Sequence, residues 1–437
     1  MKTKFGKGIV SGLALAFAIC VAASANAALT IYAGSCGYVP AYSTIQQAID
    51  NSAVGGIVKV CPGTYQEQVV IKKNLTLEGF TVGTGNQAVI TAPVGGVVPN
   101  TVSLSSGNPI AAQIYVHDAT AVTISDVVVD GSGNGIAACS PNLMGIYYQD
   151  ASGLVNHVVT RHQEAADLID YGGCQWGLGI FVQSGTSLVT GHAGTSTVTV
   201  ENSSVHDFMK NGITGNEAGT TLNAILDQVR GQGPTNSAEN GIQIGFGAKG
   251  EAVNNTVVDE IYNGCTSLTD PGCLAGSASG ILVYDSSNVT VSSNHVGNTQ
   301  NGIAVYGVDS VTVGDTISSN YVDGTLVYDG IDLCGSTGGT ISLNTVSNSG
   351  QSAIHLDGSC GIGAGGTAVS GNIINEACAA YLNNIGDTIS SVVANTNNVV
   401  NTTLIADTAT CVPPSGGDAV RAQTADSGQK KPQPVQP

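Results

Sequence analysis

A short phrase, Gly followed by Ile, recurs along most of this chain and constrains its fold more than any other feature. Successive copies are 22 to 39 residues apart, and several are followed by turn residues and then by Val-Thr-Val or a similar short apolar run. Strands this short cannot bury an apolar face alone, but they can when they stack in parallel on copies of themselves. The copies are Gly145-Ile146, Gly179-Ile180, Gly212-Ile213, Gly241-Ile242, Gly280-Ile281, Gly302-Ile303, Gly330-Ile331 and, in a weaker form, Ala353-Ile354.

A second phrase places Asn three residues after an aliphatic residue, as in Val291 and Asn294. Asn tolerates the left-handed backbone of a tight turn, and identical Asn side chains on successive coils can hydrogen-bond to one another. The other copies are Ile317/Asn320, Ile341/Asn344, Val369/Asn372 and Val392/Asn395. The two phrases together predict an all-β chain, a single-stranded right-handed parallel β-helix of about a dozen coils whose rungs are ~4.8 Å apart.

Residues 1–27 have the pattern of a secretory signal peptide, because three lysines precede an apolar run that ends in Ala-Asn-Ala. No other segment approaches the length of an uninterrupted apolar membrane span. We therefore expect a secreted or periplasmic monomer with one β-helix domain over residues 28–411. Residues 412–437 are rich in Pro, Gly, Ser, Gln and Lys without periodicity, which predicts a disordered tail.

Ten of the eleven cysteines follow the signal peptide, and an even number in an oxidising compartment indicates disulfides. We expect pairing between neighbours in sequence: Cys36/Cys61, Cys139/Cys174, Cys265/Cys273, Cys334/Cys360 and Cys378/Cys411. Without its signal peptide the chain has 10 basic and 31 acidic residues, a net charge near −21. Such a chain repels nucleic acid, so a nucleic-acid partner is not expected.

The segment after Ser43 has a capping box, Ser43 with Gln46, followed by apolar residues at helical spacing, which predicts a short helix that closes the N-terminal end of the solenoid. Short strands and the phrase Pro-Gly-Thr-Tyr at 62–65 follow. This opening is similar to that of pectin methylesterases. The repeats from about Tyr38 to Asn401 resemble the secreted right-handed β-helix repeat superfamily, which includes pectate lyases, pectin methylesterases, polygalacturonases and NosD-like proteins. The resemblance implies the fold, whereas the catalytic phrases of the esterases and polygalacturonases are missing here.

Basic residues are scarce between Asn74 and Val420, where the only four fall within a window of 89 residues. Several charged residues follow the last strand of their coil at one register, which places them in a column with spacings of roughly 5 to 10 Å. We predict a catalytic groove there, walled by loops 131–144 and 161–178. The candidates are Arg161, His162, His206, Asp207, Lys210 and Arg230. The alternative is a row of solvated ion pairs.

The first strand of each coil points Ile inward and its neighbours outward. Outward aromatic rings on an exposed sheet can stack on sugars, and two carboxylates with an imidazole can act as acid, base or metal ligands. The substrate-binding candidates are Tyr147, Phe181, Gln243, Tyr284, Tyr306, Asp332, His355 and Asp357. The alternatives are that exposed Tyr simply suits strands, and that the Asp and His residues form a surface pair beside the Cys334/Cys360 bridge.

The resemblance implies a polysaccharide or cell-surface glycan as the partner and a lyase or glycoside hydrolase as the activity. In a lyase, a base removes the proton α to a uronate carboxylate while a cation or Ca²⁺ stabilises the developing charge. His206 or Lys210 is the candidate base, and Arg161 and Arg230 are candidate carboxylate clamps. The acidic net charge disfavours a polyanionic substrate, so a neutral glycan remains open. The missing motifs favour a non-catalytic class, an adhesin, surface scaffold or glycan-binding module.

Overall fold

The chain forms a right-handed parallel β-helix of about a dozen coils, seen in a computed structural model. The structure describes residues 29–82, 85–165, 174–186, 191, 193–265, 277–357, 360, 365–375, 379–383, 398–400 and 403–406. Three long sheets, named A, B and C below, run the length of the solenoid, and each coil contributes one strand to each sheet in turn. The predicted signal peptide at 1–27 and the predicted tail at 412–437 lie outside the described residues.

The strands of the three sheets follow each other in chain order, with short edge strands at the N-terminal end. Sheet A consists of Ala41–Tyr42, Thr30–Ala33, Gly56–Val60, Leu75–Gly79, Val122–Ser125, Gly153–Asn156, Ser196–Glu201, Thr220–Ile225, Lys249–Val253, Thr290–Ser292, Thr316–Ser318, Thr340–Ser342 and Ala368–Ser370. Sheet B consists of Gly63–Gln66, Ala88–Thr91, Val127–Asp130, Val159–Gln163, Ser204–Phe208, Gln228–Thr235, Thr256–Tyr262, His295–Thr299, Tyr321–Thr325, Thr345–Ser347, Ile373–Asn375 and Asn398–Val400.

Sheet C carries the Gly-Ile phrase and is the sheet that follows the longest connections. It consists of Thr101–Val102, Val69–Ile71, Pro109–His117, Asn142–Gln149, Leu178–Gln183, Asn211–Asn216, Asn240–Gly245, Ser279–Tyr284, Asn301–Tyr306, Ile331–Cys334, Ser352–Asp357, Ala379–Asn383 and Thr403–Ala406. Two small ribbons pair Thr81–Val82 with Gly85–Asn86 and Thr312–Val313 with Ser336–Thr337.

The isoleucines of the repeated phrase form one column in the core, as predicted. Ile146 pairs with Ile180, and the same register continues coil by coil to Ile331 and Ile354. All eight are fully buried. Valines and isoleucines of sheets A and B fill the rest of the interior, so each coil covers the apolar face of the next.

The predicted asparagine ladder is present at the turn between sheets A and B. Asn294, Asn320, Asn344 and Asn372 are buried, and each amide group donates to the amide oxygen of the next at 3.0, 2.9 and 3.0 Å. Asn255 extends the ladder on the N-terminal side, whereas Asn395 lies outside the described residues. These hydrogen bonds between side chains fix the register of successive coils relative to one another.

The predicted helix is present and spans Ile45–Asn51, but its N-cap is Thr44 instead of Ser43. The hydroxyl of Thr44 accepts from the backbone N–H of Gln47 at 3.1 Å. The carboxylate of Glu67, from the next coil, accepts from the N–H groups of Ile45 and Gln46 at 2.8 and 3.0 Å. A tertiary carboxylate thus replaces the expected capping box, because it satisfies the free N–H groups of the first turn.

Three of the predicted disulfides are present, Cys36–Cys61, Cys139–Cys174 and Cys334–Cys360. Cys273, Cys378 and Cys411, which complete the other two predicted pairs, lie outside the described residues. Disulfides favour an oxidising compartment. Within the described ranges, no helix has the length and apolar character needed to cross a bilayer.

Candidate functional site

The charged column predicted from the repeats lies on the outer face of sheet B. Asp130, Arg161, His206 and Arg230 pair with one another rung by rung. Neighbouring rungs of a sheet are ~4.8 Å apart, so His206 sits one rung from an arginine on either side. The register follows from the buried residue that precedes each of these side chains on its strand: Val129, Thr160, Val205 and Val229.

Each arginine of the column is tied to a carboxylate through its Nε atom. Arg161 Nε donates to Asp130 Oδ2 and Arg230 Nε donates to Asp259 Oδ2, both at 2.8 Å. Burial alone would raise the pKa of Asp130, but hydrogen bonds from Ser132 and the Arg161 guanidinium outweigh burial and lower it. The Arg161 side chain is 38% exposed and that of Arg230 is 70% exposed. Both guanidinium groups can therefore meet a ligand.

A histidine–aspartate pair lies between the two arginines. His206 Nδ1 is 2.7 Å from Asp207 Oδ2 and donates to it, because a carboxylate can only accept. His162 Nδ1 lies 3.9 Å from the same carboxylate oxygen and 3.5 Å from Glu164 Oε1. Burial raises the pKa of Glu164 above its ordinary value, against the hydrogen bond from Gln232 and the charge of His162. This end of the column therefore holds two imidazoles, of His162 and His206, and two carboxyl groups, of Glu164 and Asp207. Burial raises the pKa of the first of these carboxyl groups.

A groove of about 650 Å³ opens beside this pair. It is lined by His206, Asp207, Arg230 and Gln232, among others, and all its lining residues come from the strands Ser204–Phe208, Gln228–Thr235 and Thr256–Tyr262. The predicted walls, loops 131–144 and 161–178, contribute no lining residue within the described part of the chain. The groove runs across neighbouring rungs, and so along the solenoid axis.

Lys210 does not join the column, contrary to the prediction. It follows Phe208 and Met209, which turn into apolar clusters, and its own side chain is fully buried. Its ammonium group donates to the carbonyl of Ala238. Burial lowers the pKa of Lys210 to about 7, opposed by the charge of Glu239. A lysine enclosed in this way has no access to a ligand in the groove.

Near Lys210 the interior holds two buried acids, Glu239 and Glu260. Burial raises the pKa of both carboxyl groups well above the ordinary value. Glu239 accepts from the Thr235 hydroxyl at 2.8 Å, and the charge of Glu239 adds to burial in raising the pKa of Glu260. In this interior the charged forms of both carboxyl groups are destabilised by burial, so the neutral forms are favoured.

The predicted substrate-binding residues lie on the outer face of sheet C, but that face is covered. Tyr147 and Phe181 are fully buried and stack at 5.0 Å between ring centres. Leu104 N and the Tyr147 hydroxyl both donate to Gln183 Oε1, at 3.0 and 2.8 Å, so residues around Leu104 fold over the first coils. The expectation of an open sugar-stacking surface is wrong for this face. Gln243 and Tyr306 are also fully buried, and Tyr284 is 6% exposed.

The predicted acids of sheet C form a buried cluster with a residue that the sequence reasoning missed. His355 Nδ1 lies 2.9 Å from Asp329 Oδ2 and 3.8 Å from Asp332 Oδ1. Burial would lower the pKa of His355, but the charges of Asp329, Asp357 and Asp332 outweigh it and raise that pKa to about 9. The surface pair suggested as an alternative is therefore wrong.

The sequence distinguishes Asp329 from the equivalent residues of other coils. It occupies the position before Gly-Ile that is Asn in other coils, at Asn211, Asn240 and Asn301. Asp329 places a carboxylate at that position, and its Oδ2 atom lies 2.9 Å from Nδ1 of His355 on the next coil. Tyr306 adds to it, because its hydroxyl donates to Asp332 Oδ2 at 2.7 Å.

No protein-family model matches the sequence, and no curated protein matches it. Solved structures do resemble it in fold. The A-module of a mannuronan C-5 epimerase from Azotobacter vinelandii has a TM-score of 0.52 at 14% identity and covers 83% of this chain and 90% of its own. The tailspike protein of Dettilon has a TM-score of 0.52 at 12% identity and covers 85% of this chain and 68% of its own.

The lacto-N-biosidase from Eubacterium ramulus gives a TM-score of 0.50 at 9% identity, with 80% of this chain and 62% of that enzyme covered. At such identities the likeness concerns the fold alone, since one fold hosts many chemistries. Of these three structures, two are carbohydrate-active enzymes by name. The chain is a right-handed parallel β-helix of the kind on which such enzymes are built.

Proposed function

We propose that this protein is a secreted or periplasmic enzyme that acts on an acidic polysaccharide in the groove of sheet B, by removing the proton α to a uronate carboxylate. The observation that carries the proposal is the His206–Asp207 pair, held one rung from Arg161 on one side and one rung from Arg230 on the other. A polysaccharide lyase needs a base beside fixed positive charge, and this column supplies both.

His206 is the base in this proposal. Its Nδ1–H is committed to Asp207, so the lone pair is on Nε2, the nitrogen free to take a proton. The imidazolium that forms is stabilised by the same carboxylate. An oriented base of this kind contributes roughly 10²- to 10⁴-fold to a proton-transfer step.

In this proposal Arg230, which lines the groove, binds the substrate carboxylate, and Arg161 approaches that carboxylate from the next strand, Val159–Gln163, outside the groove lining. Each uses Nε for its own aspartate, which leaves the planar Nη side of the guanidinium as a donor pair for a second carboxylate. When the α proton moves to His206, negative charge develops on the bound carboxylate, and the guanidinium groups stabilise it. The glycosidic C–O bond on the neighbouring β carbon then breaks, a double bond forms between the α and β carbons, and the departing oxygen takes a proton from water to become a hydroxyl group. The acidic net charge of the chain restricts such binding to this local cationic stretch.

A glycoside hydrolase is the second candidate, and Glu164 favours it. Glu164 Oε1 and Asp207 Oδ2 lie 3.5 and 3.9 Å from the same nitrogen of His162, so they are at most about 7.4 Å apart. Paired carboxyl groups at such separations cleave glycosidic bonds when one is kept protonated. Burial raises the pKa of Glu164, which suits it to the role of the acid.

The test is turnover of a panel of polyuronates and neutral glycans, scored for new reducing ends and for the absorbance of unsaturated uronates. The lyase proposal predicts unsaturated products, a loss of roughly 10²- to 10⁴-fold in kcat/KM for His206→Ala, and near wild-type rates for Glu164→Gln. His295→Ala is the matched control, because His295 is an exposed imidazole of the same sheet.

New reducing ends without unsaturation, abolished by Glu164→Gln, would establish the hydrolase instead. Binding of a glycan without any turnover would assign the protein to the non-catalytic class.

A further inference from the structure

The floor of the groove in sheet B contains a β-bulge. Gly231 and Gln232, which line the groove, together oppose the single residue Asp259 of the next strand. A bulge of this kind interrupts the ladder of backbone hydrogen bonds and re-aims the side chains beside it. The side chain directly before the bulge is Arg230, which binds the substrate carboxylate in the proposed function. The bulge therefore determines how Arg230 and Gln232 face the groove.

The carboxyl group of Glu239 lies against the back of this bulge. Its Oε2 atom accepts from the backbone N–H of Gln232 at 3.3 Å. A Cβ atom at position 231 would lie 2.7 Å from the same oxygen and 2.4 Å from the carbonyl oxygen of Asp259, so only glycine fits there. Glu239 is fully buried. A buried carboxyl group thus satisfies an N–H group that the bulge removes from the ladder.

Glu260 supplies a second buried carboxyl group behind the bulge. It is fully buried, and the backbone N–H groups of Gly231 and of Glu260 itself oppose the rise in its pKa that burial causes. The consecutive N–H groups of Gly231 and Gln232 thus face two different carboxyl groups. Replacing Glu239 by an apolar side chain would leave the buried N–H of Gln232 unsatisfied.

The charges around the two carboxyl groups make this support depend on pH. Burial raises the pKa of Glu239 well above its ordinary value; the charge of Glu164 adds to the rise, and that of Lys210 opposes it. Burial and the charges of Glu239 and Asp259 raise the pKa of Glu260. Two buried carboxyl groups that face each other do not readily ionise together. As the pH rises, negative charge builds up behind the bulge, and the entry of water that relieves it requires the bulge to move.

The Thr235 hydroxyl gives the neutral form of Glu239 a partner. It lies 2.8 Å from Glu239 Oε1 and 3.0 Å from the carbonyl oxygen of Ser237, and a hydroxyl has one proton to donate. When Glu239 is ionised, Thr235 donates to it. When Glu239 is neutral, its proton on Oε1 is donated to Thr235, which donates to Ser237, and Oε2 still accepts from Gln232. A glutamine at position 239 can adopt this second arrangement, because its amide group donates to Thr235 and its oxygen accepts from Gln232.

We propose that Glu239 and Glu260 are positioning residues of the groove, which in their neutral forms hold the Gly231–Gln232 bulge and so orient Arg230 and Gln232 towards the ligand. This inference rests on the proposed function for the identity of that ligand, and it adds regulation by pH to the same site. Binding in the groove weakens as the pH rises, in a range well above the ~4.3 at which an ordinary glutamate ionises. The sign follows because only the ionised forms disturb the bulge.

The first test is a pH titration of the backbone amide signals of Gly231 and Gln232, followed by NMR in the mature chain without any glycan. In the wild type both signals should shift in a transition well above pH ~4.3. Glu239→Gln should abolish the transition at Gln232 and move that at Gly231 to lower pH, because Glu260 then loses a charged neighbour. The control Glu251→Gln changes a partly exposed glutamate of sheet A and should leave both transitions in place. Amide signals that do not titrate, or that titrate alike in the wild type and in Glu239→Gln, would overturn the proposal.

The second test is the pH profile of turnover with the polyuronate panel. The wild type should lose kcat/KM above its optimum, and Glu239→Gln should retain activity to higher pH. Glu239→Ala should lose roughly 10- to 100-fold in kcat/KM at every pH, because the bulge then lacks its support. If Glu239→Ala fails to fold, the amide titrations of Glu239→Gln decide.

The two tests separate this inference from the proposed function. Amide signals that titrate as expected, without turnover of any polyuronate, would support the positioning pair and overturn the proposed function. Turnover with the same loss at high pH in Glu239→Gln as in the wild type would overturn the positioning pair and leave the proposed function standing.

Discussion

Replacing Asn320 by Ala should remove four buried hydrogen bonds from the middle of the asparagine ladder. Asn320 Oδ1 accepts from the backbone N–H and the side-chain amide of Asn294, both at 3.0 Å. Asn320 Nδ2 donates to Val291 O and Asn344 Oδ1, both at 2.9 Å. The backbone N–H of Asn294 then faces a methyl group. A buried group left unsatisfied costs about 1 to 3 kcal/mol, so the whole change should cost about 3 to 5 kcal/mol.

The assay is urea unfolding followed by far-UV circular dichroism, with hydrogen exchange at the Asn294 amide as a local readout. Asn223→Ala is the matched control, since Asn223 lies partly exposed on the outer face of sheet A. It should change the free energy of unfolding by less than about 0.5 kcal/mol. The reasoning fails if the Asn320 variant unfolds with the control and the Asn294 amide exchanges no faster than in the wild type.

Three further predictions concern the core and the ionisable groups. Ile281→Ala should lower the free energy of unfolding by about 2 to 5 kcal/mol in the same assay, because Ile281 is fully buried in the core column. A loss under about 1 kcal/mol would contradict the close packing of that column. Glu260→Gln should melt higher than the wild type at pH 7 but not at pH 4. Burial raises the folded-state pKa of Glu260, so the wild type loses stability as the pH rises above the unfolded-state pKa; an equal difference at both pH values would show that Glu260 does not titrate in this way. Alkylation of the mature protein before reduction should add no mass, and several modified thiols would refute the disulfide assignment.

The repeat phrases determined most of what the sequence could predict. The isoleucine column and the asparagine ladder follow from spacing alone, because equal positions on successive coils must stack. The same logic places Arg161, His206 and Arg230 in one column on sheet B, each one residue beyond a buried position.

The predictions that the structure contradicts concern residues that are covered by other segments or turned into the interior. Residues around Leu104 cover the sheet C face that holds Tyr147, and nothing in the spacing of the coils announces a segment folding back from elsewhere. Lys210 is close to the column in sequence, but the apolar residues Phe208 and Met209 precede it and the chain turns inward there, so its side chain is buried. Asp329 differs from the Asn that precedes Gly-Ile in other coils by a single residue type, and the spacing of the repeat does not reveal such a change.

The central claim, that His206 removes a proton α to a uronate carboxylate in a groove of sheet B, can be tested by isotope exchange. Polyuronates are incubated with the protein in D₂O, and the products are examined by NMR and mass spectrometry for deuterium at the α carbon or for its conversion into an unsaturated carbon. The account predicts one of these changes with the wild type and with His295→Ala, and neither with His206→Ala. Cleavage with no change at that carbon, or an equal change with His206→Ala, would contradict it.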